Sequence, residues 1–108
     1  MTRITYLRNT DYAPVVCLAF IHEKGAKTFK YQMAVHHPKD KCEKKVAVAT
    51  ATERLNTNPI ELALPTDLDD FEFNSATLCK IAMVRDIVAR ANDVPKRAVK
   101  MARMWDFS

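Results

Sequence analysis

Two stretches with strand-like patterns flank the only glycine of this 108-residue chain, and they constrain its fold more than any other feature. Residues 15–21 are rich in β-branched and aromatic side chains, and residues 28–35 alternate apolar with polar side chains. Gly25 lies between them, where a tight turn requires a positive φ angle. We therefore predict a β-hairpin. Because an isolated hairpin is only marginally stable, other elements must cover it.

The alternation within residues 28–35 also predicts which side chains the sheet buries. Successive side chains of a strand point to opposite faces, so Lys30 and Gln32 are expected on the polar face. The predicted buried face consists of Phe29, Tyr31, Met33 and Val35.

Further strands are predicted at residues 3–7 and 60–64, and a helix is predicted at about residues 41–55. Asp40 and Glu43 have the spacing of a capping box, in which the first side chain accepts hydrogen bonds from the first helical turn. The helix mixes Ala with Val and Thr, so tertiary packing must stabilise it.

The C-terminal third of the chain has a helical pattern. Apolar residues from Ser75 onward repeat at spacings of three and four, with Lys80, Asp86 and Arg90 expected at the surface. Pro95 is expected in the first turn of a final helix that reaches about residue 105. The apolar repeat consists of Leu78, Ile81, Val84, Val88 and Ala91.

These elements predict an α+β fold: a small antiparallel sheet packed by one helix, with a C-terminal helical pair. The length of 108 residues is typical of one domain. Within it we expect a strand-rich half with one helix at residues 1–64 and a helical hairpin at residues 75–105.

The composition indicates a cytoplasmic protein. No apolar run approaches the roughly 18 residues of a membrane helix, and the first residues lack the pattern of a secretory signal. The three cysteines are widely spaced, which indicates reduced thiols rather than a disulfide framework.

No constellation of residues indicates catalysis, a cofactor or a bound metal. His36 and His37 are adjacent, so on a strand they would point to opposite faces, and no second ligand cluster completes a site. Cys42 is the only thiol with a nearby histidine, whereas Cys17 and Cys79 fall on apolar faces. A single glycine cannot form a glycine-rich phosphate loop. We therefore predict no enzymatic activity.

An acidic stretch at residues 61–74 carries five Asp or Glu and no base. A solvated loop with its aromatic residues turned inward is the simplest interpretation. There are two alternatives to this interpretation: a Mg²⁺ site, or an acidic surface that binds a basic partner. The acidic side chains nearest the aromatic residues are Asp67, Asp69, Asp70 and Glu72.

The last predicted helix is basic along one side. Its cations differ in position by one, four and seven, so one face of the helix can hold them. Ala89, Asp93, Val94 and Val99 have the relative spacing of a helix-turn-helix, although the turn lacks glycine and the helix has few groups that read base edges. The residues predicted to contact a macromolecule are Lys96, Arg97, Lys100, Arg103, Lys39, Lys44, Lys45, Arg54 and Trp105.

Residues 29–55 contain a strand followed by Pro38, Lys39 and Asp40, then Lys44 and Lys45, and finally Ala51, Arg54 and Leu55. This segment resembles small uncharacterised bacteriophage proteins, in which a strand precedes P-K-D-x-F-x-K-K-x-G-R-x-x-A-x-x-R-L. The present chain has Cys42 in place of the aromatic residue and Ala47-Val48 in place of Gly-Arg. The resemblance implies a phage origin.

Two hypotheses about function follow from this reasoning. The first is a non-enzymatic phage accessory protein that binds and modulates, by inhibition, a host protein or protein–nucleic-acid complex in the host cytoplasm. The alternative is a nucleic-acid-binding protein that uses the basic C-terminal helix, consistent with a net charge of +4. Neither hypothesis requires a cofactor, a metal or a membrane.

Overall fold

The computed structural model describes residues 2–8, 14–35, 44–65 and 74–105. In these residues four strands form one antiparallel sheet and three helices pack against it, which confirms the α+β fold. The elements are β1 (Arg3–Arg8), β2 (Pro14–Ile21), β3 (Thr28–Val35), α1 (Lys44–Thr57), β4 (Ile60–Ala63), α2 (Ser75–Ala89) and α3 (Lys96–Met104).

The sheet has the strand order β1-β2-β3-β4, so every neighbour in space is also the next strand along the chain. Gly25 has a φ angle of 82°, as the predicted turn requires. The turn is closed by a hydrogen bond from the amide of Ala26 to the carbonyl oxygen of Glu23, at 3.0 Å. The predicted hairpin is therefore confirmed. The strands predicted at residues 3–7 and 60–64 correspond to β1 and β4, and the predicted C-terminal end of each differs from the observed end by one residue.

One face of the sheet carries the larger hydrophobic cluster. Phe29, Tyr31 and Met33 are buried in it, and Val35 packs at its margin, which confirms the face predicted from the alternation. The C-terminal helices cover this face. They contribute the buried side chains Cys79, Ala82, Met83, Val84, Ile87, Ala98, Met101 and Ala102.

A second, smaller cluster lies on the opposite face, beneath α1. Cys17, Ala19 and Ala34 of the sheet pack against Ala51 and Leu55 of the helix. The sheet is therefore covered on both sides, with α1 on one face and the helical pair on the other. The small side chains in this second cluster fit the Ala-rich sequence of α1, which offers few large groups to bury.

The three helices begin in different ways. Asn74 caps α2, and its Oδ1 accepts a hydrogen bond from the amide of Thr77 at 2.8 Å. Pro95 lies just before α3 rather than within its first turn. The predicted capping box of α1 lies outside the described residues, which begin again at residue 44 and show the helix continuing to Thr57.

Candidate cationic binding surface

The solvent side of α3 carries four basic residues and no acidic one, and we call it the α3 cationic face. It consists of Lys96, Arg97, Lys100 and Arg103. Three of these side chains are exposed and Arg97 is half-buried. Because all four lie on one short helix, their charges reinforce one another over a small area.

The opposite side of α3 anchors the helix to the core. Ala98 and Ala102 are completely buried, and Val99 and Met101 are nearly so. Alanine at the contact positions lets the helix approach β2 and α2 closely. The cationic face is therefore presented by a fixed backbone.

The helix-turn-helix spacing is only partly realised in the structure. Val99 is buried and Val94 packs beside the larger cluster, as that motif requires. Ala89, however, is exposed, so the small residue does not lie between the two helices. The connection is a turn in which the amide of Asp93 donates to the carbonyl oxygen of Arg90 at 2.8 Å.

Trp105 at the end of α3 folds back onto the edge of the sheet. Its indole N–H donates a long hydrogen bond of 3.4 Å to the carbonyl oxygen of Arg8, the last residue of the edge strand β1. The ammonium of Lys80 lies 4.6 Å from the centre of the indole ring, within cation–π range. Trp105 has 37% of its surface exposed, and these two contacts hold it against the sheet edge and α2 beside the α3 cationic face.

The other predicted contact residues do not join the α3 cationic face. Lys45 and Arg54 are exposed on α1, which covers the opposite side of the sheet. Arg54 also donates a hydrogen bond from Nη1 to the carbonyl oxygen of Met33 at 2.9 Å, which helps to attach α1. Lys39 and the side chain of Lys44 lie outside the described residues.

Cys17 and Cys79 are core residues, as predicted. Burial raises the pKa of both thiols to about 11, so at neutral pH they are protonated and poor nucleophiles. His22 donates from Nε2 to the carbonyl oxygen of Ala26 at 2.8 Å and stabilises the hairpin turn.

Within the described ranges no three His, Cys, Asp or Glu side chains are grouped so that they could hold a metal ion. The candidates His36, His37, Cys42 and the acidic patch at residues 67–72 lie outside those ranges.

Two residues predicted to be simple surface residues of α2 have tertiary partners instead. Lys80 is half-buried beside the edge strand, and Asp86 accepts a hydrogen bond from the hydroxyl of Tyr31 at 2.5 Å. Asp86 also pairs with Arg90, one helical turn later, at 3.1 Å. No local signal in the sequence identifies these partners, because Tyr31 and Asp86 are 55 residues apart.

The Tyr31–Asp86 hydrogen bond predicts sensitivity to alkaline pH. Burial, the hydrogen bond and the charge of Asp86 raise the pKa of Tyr31, with Arg90 opposing them. An unfolded chain loses the phenolic proton near pH 10, while the folded chain retains it. The unfolded state then binds fewer protons, so the free energy of unfolding should fall as the pH rises above about 10.

Tyr31→Phe tests this expectation. At neutral pH the variant should lose about 1.5–3 kcal/mol of stability, because the charged acceptor Asp86 loses its donor. Above pH 10 its stability should decline less steeply than that of the wild type. The free energy of unfolding of both proteins is measured by urea denaturation between pH 7 and 11. Parallel declines of the two values with pH would contradict the assignment.

Comparisons with known protein families, with curated proteins and with solved structures found no match to this chain. In the part of the chain that the structure describes, no helix is both long and apolar enough to span a membrane.

Proposed function

We propose that this protein is a non-enzymatic binding protein of the cytoplasm whose α3 cationic face binds the phosphate backbone of a nucleic acid. The observation that carries the proposal is the concentration of four basic side chains on one anchored helix with no acidic residue among them. Phosphate contacts of this kind supply most of the affinity of sequence-independent binding.

The chemistry of the helix favours binding without base specificity. Arg103 can engage a phosphate with two N–H groups, while Lys96 and Lys100 act as point charges. The helix has no Asn, Gln, Ser or Thr to read base edges. We therefore expect similar affinities for duplexes of unrelated sequence.

A salt titration of duplex DNA binding tests the proposal. Each phosphate contact contributes about 0.9 to the slope of log affinity against log salt concentration, so four contacts give a slope of about −3.6. Replacing Lys96, Arg97, Lys100 and Arg103 together by Ala should abolish most of the binding and of its salt dependence.

A second fourfold variant provides the matched control. Lys24, Lys27, Lys30 and Lys45 are exposed and lie outside α3, and replacing them by Ala changes the net charge by the same four units. This variant should keep the steep slope. Equal losses in both variants would indicate a general charge effect, and absence of wild-type binding at low salt would refute the proposal.

A second candidate is a phage-type accessory protein that binds and inhibits a host protein. Met104 has 52% of its surface exposed, and with Trp105 it places apolar surface beside Arg103. Met, Trp and Arg are enriched at protein interfaces, which supports this alternative. A stoichiometric partner captured from host lysate after nuclease treatment, and lost on Met104→Asp substitution, would favour it over nucleic-acid binding.

A further inference from the structure

A cavity of about 430 Å³ opens between β1 and the first turns of α2. Its polar walls come from two elements that are distant in sequence. Arg3 and Thr5 belong to the edge strand, and Thr77 and Lys80 belong to the helix. The remaining lining residues are Ile4, Phe20, Asn74 and Ala76, so no described wall residue carries a carboxylate.

The described walls of the cavity bring two positive charges together, those of Arg3 and Lys80. Neither Arg3 nor Lys80 forms an ion pair with a carboxylate among the residues that the structure describes. Burial, and secondarily the charge of Arg8, lowers the pKa of Lys80. An anion bound in the cavity would compensate the charges of Arg3 and Lys80 and the loss of hydration at Lys80.

The hydrogen-bond donors in the cavity walls suit an oxyanion. Thr5 and Thr77 offer hydroxyl donors, and Arg3 offers a planar guanidinium that can engage two oxygens at once. The start of α2 adds less, because the amide of Thr77 already donates to the side chain of Asn74. Recognition therefore depends on side chains from β1 and α2.

We propose that this cavity binds a phosphate monoester, with Arg3 and Lys80 neutralising its charge and Thr5 and Thr77 donating to its oxygens. The volume accommodates a phosphate together with part of the group it esterifies. The site is independent of the α3 cationic face, although Lys80 also contacts Trp105 at the end of that helix. The monoester is either a free metabolite or the terminal phosphate of a nucleic-acid strand.

The first experiment is a calorimetric titration with inorganic phosphate and with a nucleoside monophosphate, in chloride buffer of matched ionic strength. We expect saturable binding by the wild type and at least tenfold weaker binding by the Arg3→Ala/Lys80→Ala double variant. Lys24→Ala, a control on the hairpin turn, should bind like the wild type. The fourfold α3 variant should also retain phosphate binding, which separates this proposal from the preceding one.

Two further measurements keep the result interpretable. If the double variant does not fold, the Lys80→Arg variant is used in its place. It preserves the charge and should retain most of the affinity for phosphate. In the wild type, phosphate should shift the NMR resonances of Arg3, Thr5, Thr77 and Lys80 before those of α3. Failure of the wild type to bind either ligand, or shifts confined to α3, would overturn the proposal.

Short oligonucleotides with and without a 5′-phosphate distinguish the two sources. Tighter binding of the phosphorylated strand, lost in the double variant, would identify a strand terminus as the ligand. Equal binding of both strands, combined with saturable binding of the free monophosphate, would identify a metabolite.

Discussion

Replacing Phe29 by Ala should lower the free energy of unfolding by about 3–5 kcal/mol. Only 2% of the Phe29 surface is exposed, and its ring packs edge-on against Phe20, with 6.5 Å between the ring centres. The ring of Tyr31 lies at the same distance on the same face of the sheet. Removing Phe29 therefore leaves a cavity bordered by two aromatic side chains, in addition to the lost burial of the ring itself.

Lys30→Ala is the matched control, because Lys30 is the next residue of β3 and is exposed on the other face. Its effect should stay within about 0.5 kcal/mol, as for most surface substitutions. Urea denaturation of the three proteins measures both values. A smaller loss for Phe29→Ala than for Lys30→Ala would mean that the buried face has been assigned incorrectly.

Leu55→Ala should be almost as costly, at about 2–5 kcal/mol, but through a different part of the molecule. Leu55 has 3% of its surface exposed and, with Ala51, is one of two α1 residues in the buried part of the second cluster. Because the other buried members are Cys17, Ala19 and Ala34, Leu55 is the largest buried side chain of the cluster. We expect α1 to loosen before the rest of the protein unfolds.

Hydrogen exchange distinguishes this local loosening from global destabilisation. In Leu55→Ala the amides of α1 should exchange faster, while those of α2 keep most of their protection. Val46→Ala, at a position with 58% exposure on the same helix, should leave the exchange of α1 nearly unchanged. Uniformly faster exchange in α1 and α2 would show that the two clusters unfold as one unit.

Strand and helix positions were largely predictable because they depend on local patterns. The alternation of residues 28–35 identified both β3 and its more deeply buried face, and Gly25 located the turn. The spacing of Leu78, Ile81 and Val84 identified the packed side of α2. Such patterns repeat within a few residues, so the sequence expresses them directly.

The cationic residues could be grouped correctly only within one helix. Composition and spacing identified the basic side of α3, whose four positions share one helical face. Lys45 and Arg54 were predicted to contact the same macromolecule, yet α1 holds those two residues on the other side of the sheet. Helical spacing relates residues within one element and carries no information about which face of a sheet that element will cover.

Contacts between distant segments were decided only by the tertiary structure. Arg3 and Lys80 line one cavity because β1 is an edge strand beside the start of α2, and Tyr31 reaches Asp86 because β3 lies beneath the same helix. The sequence by itself determined the elements, the alternating faces of β3 and the basic side of α3. The packing of the helices on the two faces of the sheet decided which charges meet, because that choice depends on the summed fit of many side chains rather than on any local pattern.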